Sequence, residues 1–317
     1  MTTVGGGQVF ARVPQELARD DRPCAWSTAV LGNERIGSFL EGPCFSPDGT
    51  LYVSDLAHGR ILRAGARGRL DVHLDYGGAP NGLAALPDGS LLIADYERGL
   101  LRLAADGTLS TLADRFRHEP FLGLSDLVIG RDGAVYVSDQ GQSDLRRPVG
   151  RVFRWRPGTG LELLLDEIAS PNGLALTPAE DTLYVAVTRA NAVYRVPLRP
   201  DGSIGKVGVH LYLSGGTGGP DGLAVDRLGG LAVAHYGLGR VWLFDRRGLP
   251  AGHLDTQAGD GTTNVAYGGP GWRSMYITDA TTGSILVADA PEPGHPLYSH
   301  RGPDRQAADR APSARFG

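Results

Sequence analysis

Hydrophobic positions in this 317-residue chain come in short bursts, and one phrase of them recurs about every 40 to 50 residues from Glu41 onward. The copies read EGPCFSPDGTLYVSD from Glu41, PNGLAALPDGSLLIAD from Pro80, LSDLVIGRDGAVYVSD from Leu124, PNGLALTPAEDTLYVAV from Pro171, PDGLAVDRLGGLAVAH from Pro220 and a divergent TTNVAYGGPGWRSMYITD from Thr262. Each predicts a short apolar strand, a tight turn such as Pro-Asp-Gly, and a second strand whose apolar residues alternate. A third strand follows in GRILRA, GRVFRWRP, NAVYRVPL, GRVWLFD and GSILVAD, and the variable stretch before the next copy has room for a fourth. Units of this length bury their faces by stacking on their neighbours. Six four-stranded sheets around one axis give an all-β fold, a six-bladed β-propeller over residues 41–300. The WD40 signature is absent: there is no Trp-Asp, and Gly-His does not recur with the repeat.

Such a ring needs a strand from the other end of the chain to close its last sheet, since an open edge leaves backbone groups unpaired. Residues 1–40 are expected to supply it, from QVFARV or TAVLGNERI, while the polar tail RGPDRQAADRAPSARFG at 301–317 is expected to be disordered. Composition agrees with many short strands and tight turns: 47 Gly, 21 Pro and only 7% aromatics. A formal charge of −4 with acidic and basic residues interspersed argues against a nucleic-acid partner. No apolar run approaches the ~20 residues of a membrane helix, and no basic-then-apolar leader opens the chain. The expectation is a soluble, cytoplasmic protein, monomer or small homo-oligomer, acting on a small molecule. Cys24 and Cys44 are too few for a disulfide framework and lack zinc-site spacing, so both are expected to be reduced.

The innermost strand of each blade lines the central channel, so equivalent positions converge there. Counting back seven residues from each clear turn Asp gives Glu41, Asn81 and Ser125, and the matching positions in later copies are Asn172, Asp221 and Asn264. All six offer oxygen. Two carboxylates with amides in a partly dehydrated channel repel one another unless a cation sits between them. An axial metal site is therefore expected, with one divalent ion: calcium first, magnesium or manganese next, zinc by affinity order. Taken singly, Asn81 and Asn172 in Asn-Gly read as turn residues; the ring of six changes that reading.

A second series closes each second strand: Asp55, Asp95, Asp139, His235 and Asp279, broken in the fourth blade by Val187 and Thr188. Capping of the following turn explains the Asp residues. His235, the one imidazole of the series, is a candidate for contact with substrate, and His58, His73, His118 and His253 are expected on the surface.

EGP, PNG and PDG at these spacings resemble the SMP-30/gluconolactonase family of regucalcin-like lactonases over roughly positions 40 to 300. The resemblance implies Glu41, Asn172 and Asp221 as metal ligands, with Asp221 also the candidate base and Glu41 beside it in the catalytic set. Asn81, Ser125, Asp126, His235 and Asn264 are then the expected substrate contacts. Two positions depart from the family pattern. Ser125-Asp126 stands where Asn-Asp is usual, and Gly123 stands where the sugar-lactone members carry Arg. The implied reaction is metal-assisted opening of a small lactone; phosphotriester hydrolysis, a non-hydrolytic isomerisation or cyclisation, and a ligand-binding propeller without chemistry are the rival readings. No G-x-S-x-G elbow is present for an acyl-enzyme route.

Overall fold

The computed structural model describes residues 3–18, 25–32, 37–65 and 67–300. Six antiparallel sheets stand around an axis, opening with inner strands Leu40–Phe45, Pro80–Ala85, Leu124–Ile129, Pro171–Leu176, Gly219–Val225 and Thr262–Gly268. Each inner strand packs against the next, and the sixth packs against the first, so the ring is closed. Its core is a set of seams between blades. Val53, Ile93, Val137, Val185, Val233 and Ile277, one from the middle of each second strand, have 0% exposure. They alternate with residues on the opposite sheet face, which is why a period of two was readable in every copy.

Gln8–Arg12 pairs antiparallel with Ser284–Asp289 and completes the sixth blade. Thr3–Gly6 adds a fifth, parallel strand to the fifth blade, which the repeat count did not anticipate. Thr28–Leu31 of the other candidate segment lies in a helix, Ala25–Leu31, over one end of the channel; residues 33–36 of that segment, like Cys24 and the 301–317 tail, lie outside the described residues. Among the described residues no helix is long and apolar enough to cross a membrane.

The feature that creates the site is a register shift repeated in all six inner pairs, between Glu41 and Cys44, Pro80 and Leu83, Leu124 and Leu127, Pro171 and Leu174, Pro220 and Leu223, and Thr262 and Asn264. A bulge of this kind kinks the strand and re-aims side chains. Here it lets neighbouring inner strands approach closely: a Cβ on Gly173 would lie 2.1 Å from the Asp221 carbonyl oxygen, and one on Gly42 would lie 2.4 Å from that of Asn81. The Gly of EGP, PNG and PDG is thus a packing requirement of the channel.

Candidate active site

At the helix-covered end the channel widens into a pocket of about 510 Å³. Glu41, Asn81, Ser125, Asn172 and Asp221 line it together, each from a different blade and each at a bulge. They are linked around the axis. Asn81 Nδ2 donates to Ser125 Oγ at 3.3 Å, Ser125 Oγ donates to Asn172 Oδ1 at 2.8 Å, and Asn172 in turn hydrogen-bonds Asp221. Ser125 is therefore a bridge between two amides.

Glu41 and Asp221 are 3% and 6% exposed. Glu41 Oε2 accepts the Gly42 N–H at 3.0 Å and Asn264 Nδ2 at 3.2 Å, whereas Asp221 Oδ1 is buried without a hydrogen-bond partner. Burial pushes the Glu41 carboxyl up to about 8 and drives Asp221 well above its ordinary value, with repulsion from Glu41 and Asp126 adding to the burial effect on Asp221. Arg189, exposed at the pocket rim, supplies opposing charge to Asp221 from a distance.

Asp126 and Asn264 sit one residue past the ring, and they line the other half of the channel instead of this pocket. The register explains it. Thr262 pairs with Asp279 as Leu124 pairs with Asp139, so Thr263, not Asn264, holds the ring position of the sixth blade. The Thr263 hydroxyl is used on the Leu40 carbonyl at 2.7 Å. Asp126 accepts the N–H groups of Leu127 and Leu174 at 2.8 and 3.1 Å, joining blades three and four, and burial lifts it to about 6.

His235 also lies outside the pocket lining. It is fully buried, its Nδ1 accepts Trp242 Nε1–H at 3.0 Å, and burial pushes the imidazole down to about 4, so it is a neutral packing residue of the fifth blade. The Asp series divides. Asp95 accepts the N–H groups of Glu97 and Arg98, and Asp279 that of Thr282, capping the following turn as expected. Asp55 instead accepts the Phe39 N–H and binds Arg60, and Asp139 accepts the N–H groups of Leu122 and Gly123 and binds Arg151, so these two tie down the segment before the inner strand. Two surface expectations are corrected, since His58 and His253 are 9% and 6% exposed, the first held to the Gly37 carbonyl and the second against Trp242. Cys44 is free and buried.

The residues that do face the pocket from the second strands come one position later: Leu56, Gln140, Thr188 and Tyr236, each directly after Asp55, Asp139, Val187 and His235. The break at Val187-Thr188 was the available signal, because a hydroxyl there bonds the Pro220 carbonyl at 2.8 Å and so fixes the strand that carries Asp221. Gly123 has its own structural reason. With φ at +145°, it lies flat against the Tyr96 ring, and a Cβ would come 2.3 Å from that ring. The Tyr96 hydroxyl accepts Gln142 Nε2 at 2.8 Å, holding Gln142 on the pocket wall.

The model of the SMP-30/Gluconolactonase/LRE-like region matches residues 39–281. The chain belongs to this family. Among relatives, the lactonase drp35 of Staphylococcus aureus is 29% identical over 228 residues, covering 69% of this chain and 70% of that protein. A gluconolactonase of Xanthomonas campestris superposes with a TM-score of 0.72 at 29% identity, covering 90% of this chain and 99% of its own. Regucalcin from Agrobacterium tumefaciens, described as a calcium-binding protein, shares the fold with a TM-score of 0.74 at 24% identity, covering 94% and 99%. The matched region holds all five residues of the polar ring.

Proposed function

We propose that this family member is a divalent-metal-dependent hydrolase that opens a small lactone to its hydroxy acid. The observation that carries the reading is the pair of buried carboxylates at the pocket floor, with Asp221 Oδ1 left without a partner. Two such groups without a bound counter-charge are costly to keep ionised. The donor set fits a hard cation: Glu41 and Asp221 carboxylates with the Asn172 amide oxygen, leaving further coordination to water and substrate. Among the described residues no three His, Cys, Asp or Glu side chains gather as ligands, so the amide is an essential member. Calcium suits this set, and the ion when bound would supply Lewis-acid polarisation of the lactone carbonyl. The similarity to a lactonase and a gluconolactonase supports the same chemistry.

Asp221 is the group suited to hold the proton of the attacking water. The water oxygen bonds to the carbonyl carbon, the ring C–O bond breaks, and the proton passes to the departing alkoxide, giving a hydroxy acid. Asn81 and Ser125 are placed to orient the ring oxygens from the pocket floor. The test is to strip the protein with chelator, restore calcium, magnesium, manganese or zinc separately, and follow acid release from γ- and δ-lactones. Turnover restored by metal and lost in Glu41→Gln and Asp221→Asn is the expected result. Metal-raised melting temperature with no lactone opened under any metal would overturn it, and turns attention to phosphotriesters and ring-forming reactions.

A further inference from the structure

The pocket has two unlike walls above one polar floor. Gln142 and Thr188 stand on one side. Trp26, Leu31, Phe39 and Leu56 form one apolar cluster against the pocket, with Val30 beside them on the helix, at the entry to the first blade. This wall is anchored. Trp26 and Phe39 pack edge to face with ring centroids 4.5 Å apart, and the Phe39 N–H donates to Asp55 Oδ1 at 2.9 Å. Asp55 is clamped by Arg60, both fully buried, and Arg60 also donates to the Leu17 carbonyl at 2.6 Å, tying the N-terminal segment to the same wall. Val30, at 38% exposure, carries the apolar surface out to the mouth.

A substrate with hydroxyl groups all round its ring would set some of them against this wall with no hydrogen-bond partner, at a cost that weakens binding. A substrate with one apolar side covers the wall and keeps its carbonyl and ring oxygen over the polar floor. Resting on the lactone reading above, we infer that the substrate class is a lactone bearing an alkyl or aryl substituent, which lies against Trp26, Leu31, Phe39 and Leu56 while the ester group faces Asp221. The wall's extension to the mouth accommodates several carbons.

Two series measured on the metal-loaded full chain test this. The first is kcat/KM for γ-lactones whose side chain grows from methyl to decyl, followed by acid release. The second is calorimetric affinity for γ-lactams with the same side chains, which keep the shape and resist hydrolysis. Each methylene laid on the wall is expected to raise both by about three- to fourfold over the first several carbons, followed by a plateau. Trp26→Ala is expected to flatten the dependence on chain length, and Trp26→Phe to restore most of it. Hydrolysis that proceeds with both series flat or falling in chain length overturns the inference and leaves the lactonase reading standing. Lactam affinity that climbs with chain length, with no lactone opened, supports the apolar subsite and removes the hydrolysis reading. Lactams that fail to bind at any length, with no turnover, remove both.

Discussion

The two halves of the axial channel are made by the same six inner strands, yet they share almost no chemistry. The upper half presents two carboxylates, two amides and a hydroxyl to a pocket of about 510 Å³. Two or three residues further along those strands, the lower half is a cavity of about 130 Å³ walled by Cys44, Leu83, Leu127, Leu174, Leu223 and Val265 and closed by His295–Tyr298. The bulge separates the two. Above it, side chains are turned to the axis without backbone partners; below it, the ladder resumes and the apolar alternation returns. In blades one, two, four and five the residue at the boundary is Gly, whereas blades three and six carry Asp126 and Asn264, which reach across to Leu174 N and Glu41. A propeller channel is thus polar where regular pairing is interrupted.

If the upper half is the chemical one, removing its charges destroys activity without loosening the fold. Glu41→Gln and Asp221→Asn are each expected to lower kcat/KM by about 10²–10⁴-fold in an acid-release assay. Their melting temperatures without metal should equal or exceed that of the parent, because a carboxyl that is costly to bury is gone. A melting temperature that drops with activity would mean that the ring serves structure first. The boundary itself is broken by Gly173→Ala, whose Cβ would press on the Asp221 carbonyl at 2.1 Å. Overpacking there is expected to cost about 3 kcal/mol in urea unfolding and to depress turnover as Asp221 shifts.

The five ring residues were legible because a repeat supplies its own alignment: the turn Asp marks the distance to the bulge in the first three copies, and Pro-Asn-Gly and Pro-Asp-Gly mark the matching positions in the fourth and fifth. Asn264 falls one residue off because the sixth copy has neither a turn Asp nor a Pro-Asn-Gly or Pro-Asp-Gly opening to align it, and its hairpin runs through Gly269–Arg273. Asp126 does not line the pocket with Ser125, because the bulge sends adjacent residues to opposite halves of the channel and a sequence shows only their adjacency. The apolar wall was not legible. Trp26 and Leu31 lie in a helix outside the repeat, and nothing periodic connects them to Glu41. His235 stood out through its chemistry, but its environment, an indole N–H on one ring nitrogen, is a tertiary fact.

That histidine gives a smaller effect, in acid stability of the fifth blade. Burial lowers its folded pKa from 6.5 to about 4, so the unfolded chain binds more protons between those values. Stability from this group is complete above pH 6.5 and is lost as pH falls toward 4, by on the order of 2–3 kcal/mol. His235→Gln keeps an acceptor for Trp242 and does not titrate. Urea unfolding of the two proteins at pH 7, 5.5 and 4.5 should show a shallower acid loss in the variant. Parallel curves would mean that other groups carry the acid sensitivity.

The smallest effect is expected at the closed end of the channel. His295 donates its N–H to the Val225 carbonyl at 3.0 Å and Ser299 Oγ donates to the Phe45 carbonyl at 3.1 Å, which lays Tyr298 across the apolar lower half. The ring is partly buried against the seam of blades two and three. Tyr298→Ala removes that contact and opens the lower cavity, at an expected cost of about 1–2 kcal/mol. Because the polar ring and its bulges lie between Tyr298 and the pocket, kcat/KM should stay within about twofold of the parent. A loss of turnover as large as that of Asp221→Asn would show that the two halves act as one unit, with the apolar end setting the geometry of the polar end through the shared strands.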